Sequence, residues 1–192
     1  MNDVIVTIGR ENGSGGREVG RILADLMGVR CYDREIIEET ARKAGLSVDE
    51  VERSEERRAG SHLYFGGIPA SNPLFESQSE AIMDIASRGG CVFVGRCADY
   101  VLRDRDDAVS VFVTAPIPDR IRRSAERNGI SERDAYERIR KKDGERAEYY
   151  RRYTGRVWGS SSNYNLSIDT GPAGVENAAM IILDYIGMMD RN

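Results

Sequence analysis

One stretch near the start constrains this chain more than any other: Val4-Ile5-Val6-Thr7-Ile8, followed by Gly9-Arg10-Glu11-Asn12-Gly13-Ser14-Gly15-Gly16-Arg17-Glu18-Val19-Gly20. The first five residues are an apolar, β-branched run of the kind that forms a buried strand. Beyond the glycines, Val19, Ile22, Leu23, Leu26 and Met27 recur at the i, i+3, i+4, i+7 spacing of an amphipathic helix. Strand, glycine loop and helix in that order make a phosphate cradle. Glycines let backbone N–H groups close round an anion, and the helix points its positive end at it.

The general spelling of such a loop is G-x-x-x-x-G-K-[ST], and this sequence departs from it. Arg10 stands where the first Gly belongs, Gly16 where the Lys belongs, and Arg17 and Glu18 at the Ser/Thr positions. The backbone half of the cradle survives, while the ammonium and the metal-binding hydroxyl do not. Spacing alone leaves open a glycine-rich turn that binds nothing.

At 192 residues the chain is read as a single domain, residues 1–192, long enough to bury a full core. A net charge of −4 argues against a general nucleic-acid binder. Arg and Lys nevertheless crowd residues 120–156, either as a surface for anions or as a solvated helix face laced with acidic neighbours. Cys31, Cys91 and Cys97 lack metal-ligand spacing and read as small buried residues in a reducing compartment. A lone histidine, His62, argues against a His-based metal site or triad. The chain runs into its first strand without a basic segment and apolar h-region, and no apolar run reaches the roughly 20 residues of a membrane span. The expectation is a cytoplasmic protein with no membrane partner.

Strand-like runs at 29–33, 91–94, 110–114 and 164–169 alternate with helical patterns at 34–44, 48–58, 74–88, 118–127, 131–150 and 174–188. Ser47 with Glu50 spells a capping box. Residues 59–73, with Gly60, Gly66, Gly67, Pro69 and Pro73, read as a long loop whose His62, Tyr64 and Phe65 either cover a ligand or pack the loop down. Thr170-Gly171-Pro172 reads as a turn. The alternation predicts an α/β three-layer domain, a parallel sheet with helices on both faces. Ligands of such sheets sit beyond the carboxyl ends of the strands. The glycine loop, Asp33, Gly95-Arg96 and the Thr114–Pro118 turn all fall there.

These residues resemble the cytidylate kinase-like proteins of the P-loop nucleoside monophosphate kinase superfamily. The resemblance rests on Ile8 to Asp33 with Tyr32-Asp33-Arg34-Glu35, on Val94-Gly95-Arg96-Cys97-Ala98-Asp99-Tyr100, on Arg146 to Thr154, and on Tyr164 to Thr170. It implies a P-loop kinase fold with an Arg-rich helical lid near 128–160, ATP as donor with Mg²⁺, and CMP, dCMP or another small phosphoryl acceptor. A non-catalytic nucleotide- or phosphometabolite-binding protein on the same fold is the alternative. By resemblance, the backbone of Gly13, Ser14, Gly15 and Gly16 holds the donor β-phosphate. Arg96 holds the acceptor phosphate, with Cys97 replacing the Asp of the family's Gly-Arg-Asp. Asp143 and Arg146 match the Asp-x-x-Arg on the acceptor side. Arg123 and Arg127 resemble arginines that meet the donor base and phosphates, and Arg151 or Arg152 is a lid arginine. Arg17, or Arg10 reaching across, stands in for the missing Lys. Asp33 is either a contact to metal or substrate, or the N-cap of the helix that starts at Arg34. No residue is assigned as a direct metal ligand.

Overall fold

The computed structural model describes residues 3–51 and 72–189. The chain opens with β1 (Ile5–Arg10), α1 (Gly16–Met27), β2 (Arg30–Tyr32) and α2 (Glu35–Ala44). It resumes with α3 (Pro73–Ala86), β3 (Cys91–Val94), a single turn α4 (Ala98–Val101), β4 (Ala108–Thr114), α5 (Ile117–Asn128) and α6 (Glu132–Thr154). It closes with β5 (Leu166–Asp169), a single turn α7 (Thr170–Ala173) and α8 (Val175–Met189).

The five strands form one sheet in the order β2-β3-β1-β4-β5, every pairing parallel. The chain leaves β1 to build β2 and β3 on one side, then crosses to build β4 and β5 on the other. β1 is therefore the switch point, where ligands of such sheets bind. Because side chains alternate across a strand, Val6 and Ile8 of β1 meet Val111 and Val113 of β4 on one face. There they pack with Val19 and Leu23 of α1 and Ile182 and Ile186 of α8. Ile5 and Phe93 face the other way, against Ile36, Ile82 and Ile85 of α2 and α3. Three layers result, as the alternation of patterns predicts, and all strand carboxyl ends share one edge.

Local chemistry explains where the elements differ from expectation. Pro73 begins α3 instead of ending a loop: Asn72 Oδ1 accepts the Leu74 N–H at 3.2 Å, and proline suits the first helical turn. The rest of the expected loop, residues 59–71 with His62, Tyr64 and Phe65, lies outside the described residues. The capping box is present, with Ser47 N–H donating to Glu50 Oε2 at 2.8 Å, and residues 48–51 are helical; residues 52–58 of that expected helix also lie outside. Thr170-Gly171-Pro172 is a helical turn and not an open one, because Asp169 Oδ1 caps it by accepting the Gly171 N–H at 2.8 Å. α6 runs beyond residue 150 to Thr154, where Gly155 in the left-handed region ends it. Among the described residues no helix is long and apolar enough to cross a membrane.

Ile182 is fully buried where α8 meets the sheet. Ile182→Ala is expected to cost roughly 2–5 kcal/mol, as large-to-small core changes do, read from the urea unfolding midpoint at constant slope.

Candidate functional site

The loop between β1 and α1 has the shape its glycines promise. Gly13 and Gly15 both have φ near +80°, and Gly15 is the N-cap of α1, its carbonyl accepting the Glu18 and Val19 N–H groups. A Cβ on Gly13 would lie 2.6 Å from the Arg120 carbonyl oxygen, so close approach as well as φ requires glycine there. Ser14 is fully buried and its hydroxyl donates to the Glu11 carbonyl at 3.0 Å.

The loop is held from behind by a charged network. Arg120 of α5, 6% exposed, donates through Nε to the Asn12 carbonyl at 2.8 Å, and its Nη1 forms an ion pair with Glu11 Oε1 at 3.1 Å. Its Nη2 pairs with Asp143 Oδ2 of α6. The other oxygen, Asp143 Oδ1, accepts the Asn12 N–H at 2.7 Å. Burial pushes the Asp143 carboxyl up, against the pull of the Asn12 N–H, Arg120 and Arg146. Glu11 Oε2 also takes the Thr114 hydroxyl and the Ala115 N–H, tying the loop to the end of β4. Arg123 donates to the Ser14 carbonyl, the Thr170 hydroxyl and the Thr170 carbonyl at 3.0–3.2 Å.

On the open side two guanidiniums meet one carboxylate, with a third arginine behind them. Arg17 Nε pairs with Asp33 Oδ2, and Arg10 Nη2 lies 3.8 Å from Asp33 Oδ1. Arg146 donates to the Arg10 carbonyl at 3.1 Å. Burial first, then Arg146, pulls the Arg10 guanidinium down to about 9; Arg96 and Arg17 add to this and Asp33 opposes it. Arg146 is lowered too, by burial above all. Arg10 remains charged at neutral pH, so positive charge is held desolvated at this edge of the sheet.

Gly95 and Arg96 follow β3 at the same edge. Arg96 and Cys97 are consecutive non-glycine residues with positive φ, 61° and 55°, a costly backbone that persists where its surroundings over-determine it. Here Gln78 Nε2 donates to the Arg96 carbonyl at 2.9 Å.

The structure thus brings together Gly13, Ser14, Gly15, Gly16, Arg17, Asp33, Arg96 and Arg146 around one crevice. Asp143 and Arg123 sit behind the loop, on its protein side. Arg127 is exposed one turn beyond Arg123, and Arg151 is exposed on α6 while Arg152 donates to Glu148 at 2.9 Å. Asp33 is not an N-cap. That position is Arg34, and Glu35 reaches back to the Asp33 N–H at 3.1 Å while the Asp33 carboxylate serves the arginines. Glu11 and Arg120 carry roles the sequence reading did not assign. Arg120 shares the inward face of α5 with Arg123 and Ser124, and that three-to-four-residue spacing is the signal that could have found it.

The residues do not fit a Mg²⁺ ion gripped by the protein. Arg17 stands at the hydroxyl position, Glu18 is exposed on α1, and Asp33 is shared between two guanidiniums. Among the described residues no group of three or more His, Cys, Asp or Glu is placed to hold a metal.

Removing Arg120 leaves Glu11, Asp143 and the Asn12 carbonyl without their shared donor. Arg120→Met, which keeps the stem, is expected to cost roughly 3 kcal/mol, the low end for breaking a buried pair because both carboxylates keep some exposure. Urea unfolding measures it.

Comparison with known proteins places the chain in a family. The model of the cytidylate kinase-like family matches residues 5–172. A cytidylate kinase of Aeropyrum pernix is 29% identical, with 90% of this chain and 92% of the relative covered. One of Methanopyrus kandleri is 26% identical over 87% and 84%. A crystal structure of an uncharacterized protein from Eubacterium ventriosum superposes with a TM-score of 0.75 at 28% identity, covering 96% of this chain and 98% of that one. A shikimate kinase from Acinetobacter baumannii, at 18% identity and a TM-score of 0.57 over 98% and 94%, shares the fold. The match runs from β1 through the glycine loop and the arginine crevice to α7, and the chain belongs to the cytidylate kinase-like family.

Proposed function

We propose that the protein is an ATP-dependent phosphotransferase of the nucleoside monophosphate kinase type, acting on CMP, dCMP or another small phosphoryl acceptor. The observation that carries this reading is the convergence of Arg10, Arg17, Arg96 and Arg146 on the crevice between the Gly13–Gly16 loop and the Gly95-Arg96 turn. Phosphoryl transfer asks the protein for positioning and for charge to meet the transferring oxygens. In this reading the amides of residues 13–17 hold the donor β-phosphate at the positive end of α1. Arg96 forks onto the acceptor phosphate, and Arg17 and Arg146 flank the group in transfer. Asp33 keeps the arginines aligned until the phosphates replace it. Membership of the family, and relatives named cytidylate kinase over most of their length, support the reaction class.

The segment 128–160 acts as the lid. α6 touches both banks of the crevice: Asp143 and Arg146 reach the loop, and Tyr149 donates to Gln78 of α3 at 3.1 Å. Gly129 and Gly155, both in the left-handed region, end α5 and α6 and are suited to hinges. Amide hydrogen exchange within 128–160 is expected to slow when nucleotide binds; equal protection with and without nucleotide removes the lid.

The function is tested by ATP turnover against a panel of nucleoside monophosphates, with and without Mg²⁺, beside thermal shifts for the same compounds. Turnover with one acceptor class is expected. Thermal shifts without turnover on any acceptor would overturn the reading in favour of a non-catalytic binder. Arg96→Lys keeps the charge but loses the fork, so it should weaken acceptor use more than ATP binding. Arg96→Ala should lower turnover about 10²–10³-fold, as losing one donor to a developing oxyanion does, with the melting temperature little changed.

A further inference from the structure

The two departures of the loop from G-x-x-x-x-G-K lie at positions 10 and 16, and in space they touch. A Cβ built on Gly16 would stand 2.5 Å from the Arg10 Cβ and 3.0 Å from its Cγ. Real Cβ atoms essentially never approach so closely, and neither atom is the movable end of a side chain. The last residue of β1 and the first of α1 thus have a single opening between them through which one side chain can leave. A chain with Lys at 16 needs glycine at 10; a chain with Arg at 10 needs glycine at 16. This protein has the second arrangement, with the cation moved from the helix to the strand and the glycine moved the other way.

The route of the Arg10 side chain agrees. It runs from the end of β1 across the end of β3, where the space a Cβ on Gly95 would take is filled by its Nη1. Its guanidinium ends 3.8 Å from Asp33, beside the charges of Arg146, Arg96 and Arg17. The Arg146 hydrogen bond to the Arg10 carbonyl fixes the root of the side chain. Two glycines thus make room for one arginine, on a path from the first turn of α1 to the ends of β3 and β2.

Resting on the phosphotransferase reading, we propose that Arg10 is the cation that serves the donor phosphates in this protein, rooted within one Cβ contact of where the usual loop lysine is rooted. The lysine of such loops reaches the β- and γ-phosphates. An arginine in its stead brings a planar fork that can take two oxygens at once. With Asp33 as its resting partner, Arg10 exchanges one anion for another when the phosphates arrive.

The test is a positional exchange. Arg10→Gly is expected to weaken binding of ATP and of inorganic tripolyphosphate at least tenfold and to lower turnover about 10²–10³-fold. Arg10→Gly combined with Gly16→Lys restores the G-x-x-x-x-G-K spelling and is expected to recover at least tenfold in both. Gly16→Lys alone, colliding with the Arg10 Cβ, is expected to melt below the parent and below the double variant. The proposal is overturned if Arg10→Gly binds tripolyphosphate as the parent does. It is also overturned if the double variant, folded by its melting curve, stays at the level of Arg10→Gly. Should the double variant not fold, the tripolyphosphate affinity of Arg10→Gly decides alone. A parent that binds tripolyphosphate but turns over with no acceptor sinks the phosphotransferase reading, and the binding measurements still decide Arg10.

Discussion

One carboxylate holds the site in shape. Asp143 sits on α6, far in sequence from the loop, yet its two oxygens meet the Asn12 N–H and the Arg120 guanidinium, with Arg146 at 3.6 Å. From Arg120 the connection runs to Glu11 and the Asn12 carbonyl, and from Glu11 to the turn after β4. The loop is therefore clamped on its protein side by α5, α6 and the end of β4. Loop backbone that would otherwise spend its hydrogen-bonding groups inward is free to present them to the crevice. A buried, half-satisfied network of this kind would be worse than an apolar core, which is why its members stand or fall together.

The open side follows the opposite logic. Arg10 and Arg17 lie against Asp33 with Arg146 beside them, more cation than one carboxylate can balance, and burial makes the Arg10 and Arg146 charges costlier. Such an arrangement weakens the fold and is tolerated where activity needs it. Surplus cation at the carboxyl edge of a parallel sheet is the feature on which the proposed phosphate binding rests.

Much of the fold was legible because its signals are local. β-branched runs, the apolar stripe of α1, and Gly28 and Gly45 after the first two helices need only neighbours along the chain. Even the shared edge of the glycine loop, Asp33, Arg96 and the β4 turn follows from alternation once the sheet is parallel. Long-range pairing was not legible. Nothing near Arg123 in sequence announces that its donors go to Ser14 and Thr170, and nothing near Asp143 announces Asn12. Asp33 reads equally well as a cap or a contact until the side chains of Arg17 and Arg10 are seen to reach it. Pro73 and the Thr170-Gly171-Pro172 turn mislead for a subtler reason: the residues that stop one element are also the residues that begin the next.

The backbone at Arg96 and Cys97 has a consequence beyond the direction of one guanidinium. Two adjacent left-handed residues form a loaded spring, and the Gln78 amide holds it shut through the Arg96 carbonyl. The same amide, on its other side, accepts the Tyr149 hydroxyl of α6. One buried amide is thus shared between α6 and the turn that carries Arg96. Losing either contact would leave a buried polar group unpaired, which costs about 1–3 kcal/mol. The strained turn after β3 and the longest helix of the described residues are in this way coupled through one side chain.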